Sequence, residues 1–413
     1  MPTGTLVDAV FHLTWTPVMS RREIVVLSAL RTPIGTFGKS LKDIPPTALA
    51  TTVLRAAVER AQIDPAEVGH VCFGQVIHTE PRDMYLARVV AIEGGCGEST
   101  PAFNVNRLCG SGLQAVVSAA QSILLGDCTI AVAGGAESMS RAPYANPALR
   151  FGARMGDTPM MDMLLGALHD PFHRIHMGVT AENVARKFGI ARQAQDALAV
   201  ESHRRAARAT AEGRFASQIV PVTLPGRRGD IVFEQDEHIR HDIDLPDLAG
   251  LKPVFAPEDG TVTAGNSSGI NDGAAALVLA ERAVAEARGI RPMARLLTYA
   301  HTGVDPRHMG MGPVSASRAA LQKAGLAIGD IDVIESNEAF AAQACAVALE
   351  LGLDPARVNP NGSGIALGHP VGATGAIITV KALHELQRIG GRYALVTLCI
   401  GGGQGIAAIF ERL

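Results

Sequence analysis

The 413-residue chain sets 37 lysines and arginines against 40 aspartates and glutamates, a formal net charge of −3, with 47% hydrophobic, 19% charged and 4% aromatic residues. That balance argues against a basic nucleic-acid-binding face and against rows of stacking aromatics. The apolar share and the 44 glycines exclude a disordered chain and a small disulfide scaffold, and the length suits two or three domains. In chain order, residues 1–20 lack the basic start and long apolar core of a secretory signal. They are expected to be an N-terminal extension without catalytic consequence, with Met19 as an alternative start. Ile24–Ser28 reads as a short strand, and Pro46–Ala61 as a helix through the spacing of Leu49, Val53, Leu54, Ala57 and Val58. Val71–Phe73 reads as the next strand. Leu113, Val116, Val117, Ala120, Ile123 and Leu124 then mark a buried helix. From about 139 to 265 the chain turns rich in Met, Pro, His and Arg and poor in long β runs, the texture of a loop or lid domain inserted into the first half. Strands are expected at Ile331–Glu335, Tyr393–Cys399 and Ile406–Phe410, and a helix at Ala339–Leu351. Strands alternating with helices predict an α/β protein with parallel sheets covered by helices. No apolar run is expected to reach the roughly 18 to 20 residues of a membrane span. Six cysteines without a C-x-x-C pair fit the reduced thiols of a cytoplasmic protein.

The sequence also repeats itself. Ala57–Cys72 resembles Ala320–Glu335, and Val105-Asn106 followed by Gly110-Ser111-Gly112 answers Val358-Asn359 followed by Gly362-Ser363-Gly364. In each copy a helix follows, then a strand expected to end in consecutive glycines, Gly134-Gly135 and Gly401-Gly402-Gly403. Two matches in one order indicate a duplicated αβ half.

Four places carry residue types suited to chemistry. Cys109 stands at the N-terminal end of the predicted helix beside Gly110-Ser111-Gly112. There, unpaired N–H groups and the helix dipole favour a thiolate and could hold an oxyanion. Cys399 ends a predicted strand and opens the turn Ile400-Gly-Gly-Gly-Gln-Gly; no helix N-terminus follows, so a dinucleotide site is not expected. His369 lies in a Gly- and Pro-shaped loop, Gly362–Gly375, where a neutral imidazole could take a proton from a thiol. Asn337 follows a predicted strand, either as an ordinary helix N-cap or as an amide that orients water or an oxyanion. His169, His173 and His176 have metal-ligand spacing but no fourth ligand, and Pro171 breaks a simple helix, so no metal site is expected.

Together, Asn106-Arg-Leu-Cys-Gly-Ser-Gly, His176-Met-Gly-Val-Thr-Ala-Glu-Asn, Ala264-Gly-Asn-Ser-Ser-Gly, Asn337-Glu-Ala-Phe, Gly368-His-Pro-Val-Gly-Ala-Thr-Gly and Cys399-Ile-Gly-Gly-Gly-Gln-Gly resemble the thiolase family signatures in family order. The segment His169–Gly178 and the ending Gln404–Arg412 are most similar to the bacterial β-ketothiolases of the polyhydroxyalkanoate type. The resemblance covers the chain from about residue 20. It implies a duplicated αβαβα five-layered fold with an N-terminal half over 21–283, a CoA-covering loop domain within it, and a C-terminal half over 291–413. It implies a homotetramer that condenses two acyl-CoA molecules and runs the reverse thiolysis, with coenzyme A thioesters as substrates and no permanently bound cofactor. A degradative 3-ketoacyl-CoA thiolase of broader chain length is the alternative. Carried over by motif, Cys109 would be the acylated nucleophile, His369 its base and an oxyanion donor, and Cys399 the second acid/base. Asn337 would orient a water, and the N–H of Gly401 would serve the other oxyanion hole. His176, Met177, Ala264, Ser268, Ala339 and Phe340 would lie along the pantetheine arm and Arg228 near the phosphates. The helix end and His369 are expected to raise the thiolate fraction of Cys109. Ser267 and Ser336 depart from the family pattern, which bears on chain length more than on activity. Against a ketoacyl-carrier-protein synthase, a Cys-His-Asn hydrolase or a non-catalytic relative stands the intact set Cys109, His369 and Cys399.

Overall fold

The computed structural model describes residues 22–227 and 229–413; the extension 1–20 and Arg228 lie outside the described residues. One mixed sheet runs through the molecule in the order Val333–Ser336, Tyr393–Ile400, Gln404–Arg412, Ala294–Gly303, Ile24–Arg31, Asn271–Glu281, Ile130–Ser138, His70–Gly74 and Ala102–Val105, with Gly35–Thr36 paired to Asn271–Glu281. The two halves of the sheet join only where Val25 opposes Arg295 and Val26 opposes Ala294.

The expectation of parallel sheets needs correction. Only the outer pairs are parallel: His70–Gly74 with both its neighbours, and Val333–Ser336 with Tyr393–Ile400. Towards the centre every pairing is antiparallel. The reason is connectivity. Gln404–Arg412 returns from Tyr393–Ile400 through a glycine turn, a hairpin rather than a helical crossover, and Asn271–Glu281 re-enters the sheet from the long insertion.

Alternation along the strands divides the cores. Ala131, Ala133, Ala275 and Leu277 face the largest core, whereas Ile130, Val132, Ala274 and Ala276 face the outer core of the first half. Helices Ser111–Leu125 and Thr374–Ile389 fill the space between the two halves of the sheet. Pro46–Arg60 and Leu86–Glu93 cover the outer face of the first half, and Gly312–Ala324 with Ala341–Leu351 that of the second. The result is five layers, αβαβα. The two central helices touch through glycine: a Cβ on Gly112 would lie 2.5 Å from the Ala376 nitrogen, and one on Gly375 2.3 Å from the Leu113 nitrogen. Both glycines sit in the first turns of their helices, so the loops that precede them are brought together.

The repeat is visible in the elements. Helix, 3₁₀ turn and strand recur as Pro46–Arg60, Pro65–Glu67, His70–Gly74 and as Gly312–Ala324, Ile328–Asp330, Val333–Ser336. Val105 pairs in parallel with Gly74, as Val358 does with Ile334. One detail differs from expectation. Gly134-Gly135 lie inside the strand Ile130–Ser138, while Gly401–Gly403 form a turn after theirs. In the strand a Cβ at Gly134 would meet the Ala275 oxygen at 2.2 Å, so that pair serves close backbone approach.

A second correction concerns apolar runs. Leu108–Leu125 is long and apolar enough, at mean hydropathy 1.4, to pass as a membrane span. It is the central helix of the five layers, with Leu113, Val116, Val117, Ala120 and Ile123 fully buried between the halves. The segment 139–265 contains two two-stranded ribbons, Tyr144–Ala145 with Met161–Asp162 and Val222–Leu224 with Ile231–Phe233. It also carries the helices Met177–Phe188 and Arg192–Ala211, more regular structure than a loop domain suggests.

Candidate active site

Cys109 is presented by a tight turn at the edge of the central helix Ser111–Leu125. Leu108 takes the left-handed conformation (φ 45°), and its N–H donates to Asn106 Oδ1 at 3.0 Å. Ser111 Oγ closes the turn, donating to the Leu108 carbonyl at 2.6 Å and accepting from the Arg107 N–H at 2.8 Å. Gly110 has no room for a side chain, since a Cβ would meet Ile400 Cδ1 at 2.6 Å. Burial pushes the Cys109 thiol up to about 11. The N–H groups of Gly401 and of Cys109 itself act in the other direction, and Glu137 adds to the rise. The resting geometry thus favours the thiol form of half-buried Cys109, since desolvation works against the two N–H donors that would favour the expected thiolate.

His369 follows a single helical turn, Gly364–Leu367, rather than an irregular loop throughout. Its backbone N–H donates to Asn271 Oδ1 at 2.9 Å. Its ring is held on both sides, with Nδ1 2.6 Å from Thr374 Oγ and Nε2 3.4 Å from Asn337 Nδ2. Thr374 Oγ donates to the Pro370 carbonyl at 2.8 Å, which leaves it to accept from Nδ1–H. That assigns the tautomer with an unprotonated Nε2. Burial holds the imidazole down at about 4, so at neutral pH it is an uncharged base.

Asn337 is not a helix cap. The helix begins at Ala341 with Phe340 as its cap, and the Asn337 amide is fully buried at the carboxyl end of Val333–Ser336 beside His369. Its Oδ1 accepts no hydrogen bond from a protein group among the described residues. Cys399 is fully buried in an apolar cluster with Met177, Ala339 and Phe340. Burial, and next the neighbouring Cys109, push its thiol far above the ordinary range.

A cavity of about 50 Å³ joins Cys109 and His369. Cys109, Met177, Ser268, Ala339, Phe340, His369 and Gly401 line it, together with residues that sequence reasoning did not single out: Val76, Leu108, Ala167, Leu168, Met309 and Val371. His176 stands one step outside, where its Nδ1 caps the helix Met177–Phe188 by accepting from the Gly178 N–H. Its ring stacks on Phe255 at 4.6 Å, and Phe255 meets Phe340 edge-on, so an aromatic ladder leads from the insertion to the cavity wall. The His169 and His176 rings are edge to face at 5.2 Å. Ala264 is exposed and does not line the cavity. Arg228 cannot be placed, lying outside the described residues; its neighbour Arg227 is exposed. Thr374 sits within the quoted histidine motif, five residues past His369, and its place in that motif was the available signal for it.

The five-layered duplicated fold, with a cysteine at the helix edge facing a histidine loop and a second cysteine, defines a thiolase. Family models described as the thiolase N-terminal domain and the thiolase C-terminal domain match residues 24–283 and 290–412, and the chain belongs to that family. It is 67% identical over 392 residues to the beta-ketothiolase BktB of Cupriavidus necator, covering 95% of this chain and all of the relative. The crystal structure of the Bacillus anthracis acetyl-CoA acetyltransferase superposes with a TM-score of 0.93 at 46% identity, covering 95% of this chain and 99% of that one. A human mitochondrial 3-ketoacyl-CoA thiolase in complex with CoA superposes at 0.92 with 42% identity, covering 95% and 98%.

Proposed function

We propose that the protein is a β-ketothiolase, an acyltransferase that condenses acetyl-CoA with a second acetyl-CoA or with propionyl-CoA and catalyses the reverse thiolysis through an acyl-Cys109 intermediate. The observation that carries this reading is the convergence of Cys109, His369 and Gly401 on one small cavity, with Cys399 packed against Met177, Ala339 and Phe340 of its wall.

In the first half-reaction the Cys109 sulfur attacks the thioester carbonyl of the donor while its proton passes to His369 Nε2. With a thiol near 11 and an imidazole near 4, a standing thiolate–imidazolium pair is disfavoured, so proton transfer accompanies attack. The oxyanion would accept from the N–H groups of Cys109 and Gly401, where one donor is typically worth about 2.7–4 kcal/mol. Collapse expels CoA, whose sulfur takes its proton from Cys399, leaving Cys399 as the thiolate and His369 carrying the proton of Cys109. In the second half-reaction Cys399, as thiolate, takes a proton from the methyl group of acetyl-CoA. The enolate oxygen would be held by His369 and a water on Asn337. The carbanion attacks the acyl carbonyl on Cys109, and the Cys109 thiolate leaves and regains its proton from His369. CoA thioesters enter as substrates; no resident cofactor or metal is part of the reading.

Such a small cavity suits a short acyl group, in keeping with the relatives named as acetyltransferase and beta-ketothiolase. CoA-dependent cleavage of acetoacetyl-CoA, 3-ketovaleryl-CoA and a longer 3-ketoacyl-CoA tests it. Fast cleavage of the two short substrates is expected. Equal or faster cleavage of the long one would favour the broad degradative class, and no cleavage by folded protein would sink the proposal.

A further inference from the structure

The loop that carries His369 belongs to the second half of the chain, yet it is anchored to a side chain of the first. Glu137 is fully buried near the end of the strand Ile130–Ser138. Its Oε2 accepts from the Gly372 N–H at 2.8 Å and from the Val76 N–H at 3.0 Å, and its Oε1 accepts from the Ile77 N–H at 3.1 Å. Every donor is a backbone amide, and the amides come from two segments that line the cavity through Val76 and Val371. The other side of Gly372 is equally confined. A Cβ on Gly135 would lie 2.3 Å from the Gly372 carbonyl oxygen and one on Gly74 2.7 Å from it, while a Cβ on Gly372 itself would lie 2.5 Å from Glu137 Oε2. The loop is held at one residue by its N–H, and its carbonyl lies close against the backbone of Gly74 and Gly135.

A carboxyl group taken out of water is costly unless its oxygens are met, and an apolar side chain would fill the same space at less expense. Three backbone amides satisfying one buried carboxyl make the group a fastener between segments that have no covalent reason to stay in register. Catalysis by a base on one half and a nucleophile on the other is sensitive to that register, since a displacement of about 1 Å can lower a rate on the order of a hundredfold. We propose that Glu137 is a positioning residue that fixes the His369 loop of the second half against the Cys109 cavity wall of the first, without touching substrate. The proposal rests, for its kinetic readout, on the thiolase reading above.

Glu137→Gln keeps the shape but turns an NH₂ group towards at least one of the three N–H donors. In acetoacetyl-CoA thiolysis it is expected to lower kcat at least tenfold, with KM for CoA within twofold of wild type. Backbone amide exchange in the peptides carrying Val76-Ile77 and Gly372 should accelerate at least tenfold. Gly372→Ala attacks the same contact from the other side, and the double variant should fall no further than the worse single one. A merely structural role would lower the thermal midpoint and leave kcat per folded enzyme unchanged, which overturns the proposal, as would multiplicative losses in the double variant. If wild type itself shows no thiolysis, the activity reading fails. Unchanged amide exchange in Glu137→Gln, whatever the activity, sinks the fastener alone; should that variant not fold, Gly372→Ala carries both readouts.

Discussion

Raising pH should unmask Cys109 slowly and without a plateau near neutrality. A thiol pushed up to about 11 is about one part in ten thousand thiolate at pH 7, whereas a free thiol near 8.5 is about 3% thiolate, roughly a 300-fold difference. The more basic thiolate is also the better nucleophile. With a Brønsted slope near 0.45, 2.5 units recover about a factor of ten, leaving Cys109 about 20- to 30-fold slower than a free thiol at pH 7. The assay is carboxamidomethylation by iodoacetamide, quenched at intervals and read by mass spectrometry on the peptide spanning Asn106–Leu125. Peptide resolution matters because burial also pushes Cys96, Cys128 and Cys345 up to about 11. The logarithm of the Cys109 rate should climb with unit slope from pH 7 to 10. A flat profile between pH 6 and 8 would mean that a thiolate–imidazolium pair already exists at rest. It would refute the conclusion that burial outweighs the Gly401 and Cys109 N–H donors.

The remaining expectations concern chemistry, stability and acid. Cys109→Ala should form no acyl-enzyme with radiolabelled acetyl-CoA, while Cys399→Ala should become acylated yet fail to condense; normal condensation by the latter would remove Cys399 from its acid/base role. Lys381 and Glu335 form a buried pair at 2.8 Å, so Lys381→Met should cost about 3–5 kcal/mol in denaturant unfolding by stranding the carboxylate. Adding Glu335→Leu should restore most of that loss, and a double variant no better than the single would contradict the stranded-charge account. Burial holds His203 down at about 3 and His238 at about 4. Folding therefore opposes their protonation: this share of stability is intact above the unfolded value near 6.5 and disappears as pH falls through about 4. The fall in thermal midpoint that the imidazoles cause between about pH 6.5 and 4 should be shallower in His203→Gln than in the wild type; an equally steep fall in that variant would acquit the imidazole.

Local pattern was enough to read most elements, because helix and strand periodicities are properties of short windows. Pro46–Arg60, predicted to Ala61, and Tyr393–Ile400, predicted to Cys399, differ by a residue at one end. Strand direction was not legible. Whether Gln404–Arg412 returns as a hairpin depends on the three-dimensional path of a glycine turn, and the same glycines could have opened a crossover. The site was legible where chemistry and motif coincide, at Cys109, His369 and Cys399, all of which meet at the cavity or against it. It was not legible where function depends on another element. Asn337 could be read either as a cap or as an amide serving the site, and local pattern could not choose; the helix starts four residues later and the amide turns to a histidine 32 positions away. The protonation state of Cys109 was not legible either, since a helix terminus can be read from sequence and the desolvation that pushes its thiol up cannot.

The narrow join at Val25 and Val26 has a consequence for synthesis on the ribosome. Ile24–Arg31 is among the first described segments to be made, yet its sheet neighbours are Asn271–Glu281 and Ala294–Gly303. For most of translation this strand has no partner, and both its edges remain open. The chain must therefore carry an unpaired apolar strand, a template for aggregation, until more than half of it has emerged. Chains released just short of Asn271 should accordingly bind hydrophobic dyes and melt without cooperativity, while those extended past Gly303 should bury the strand; a sharp cooperative melt in the shorter chain would show that it finds a temporary partner of its own.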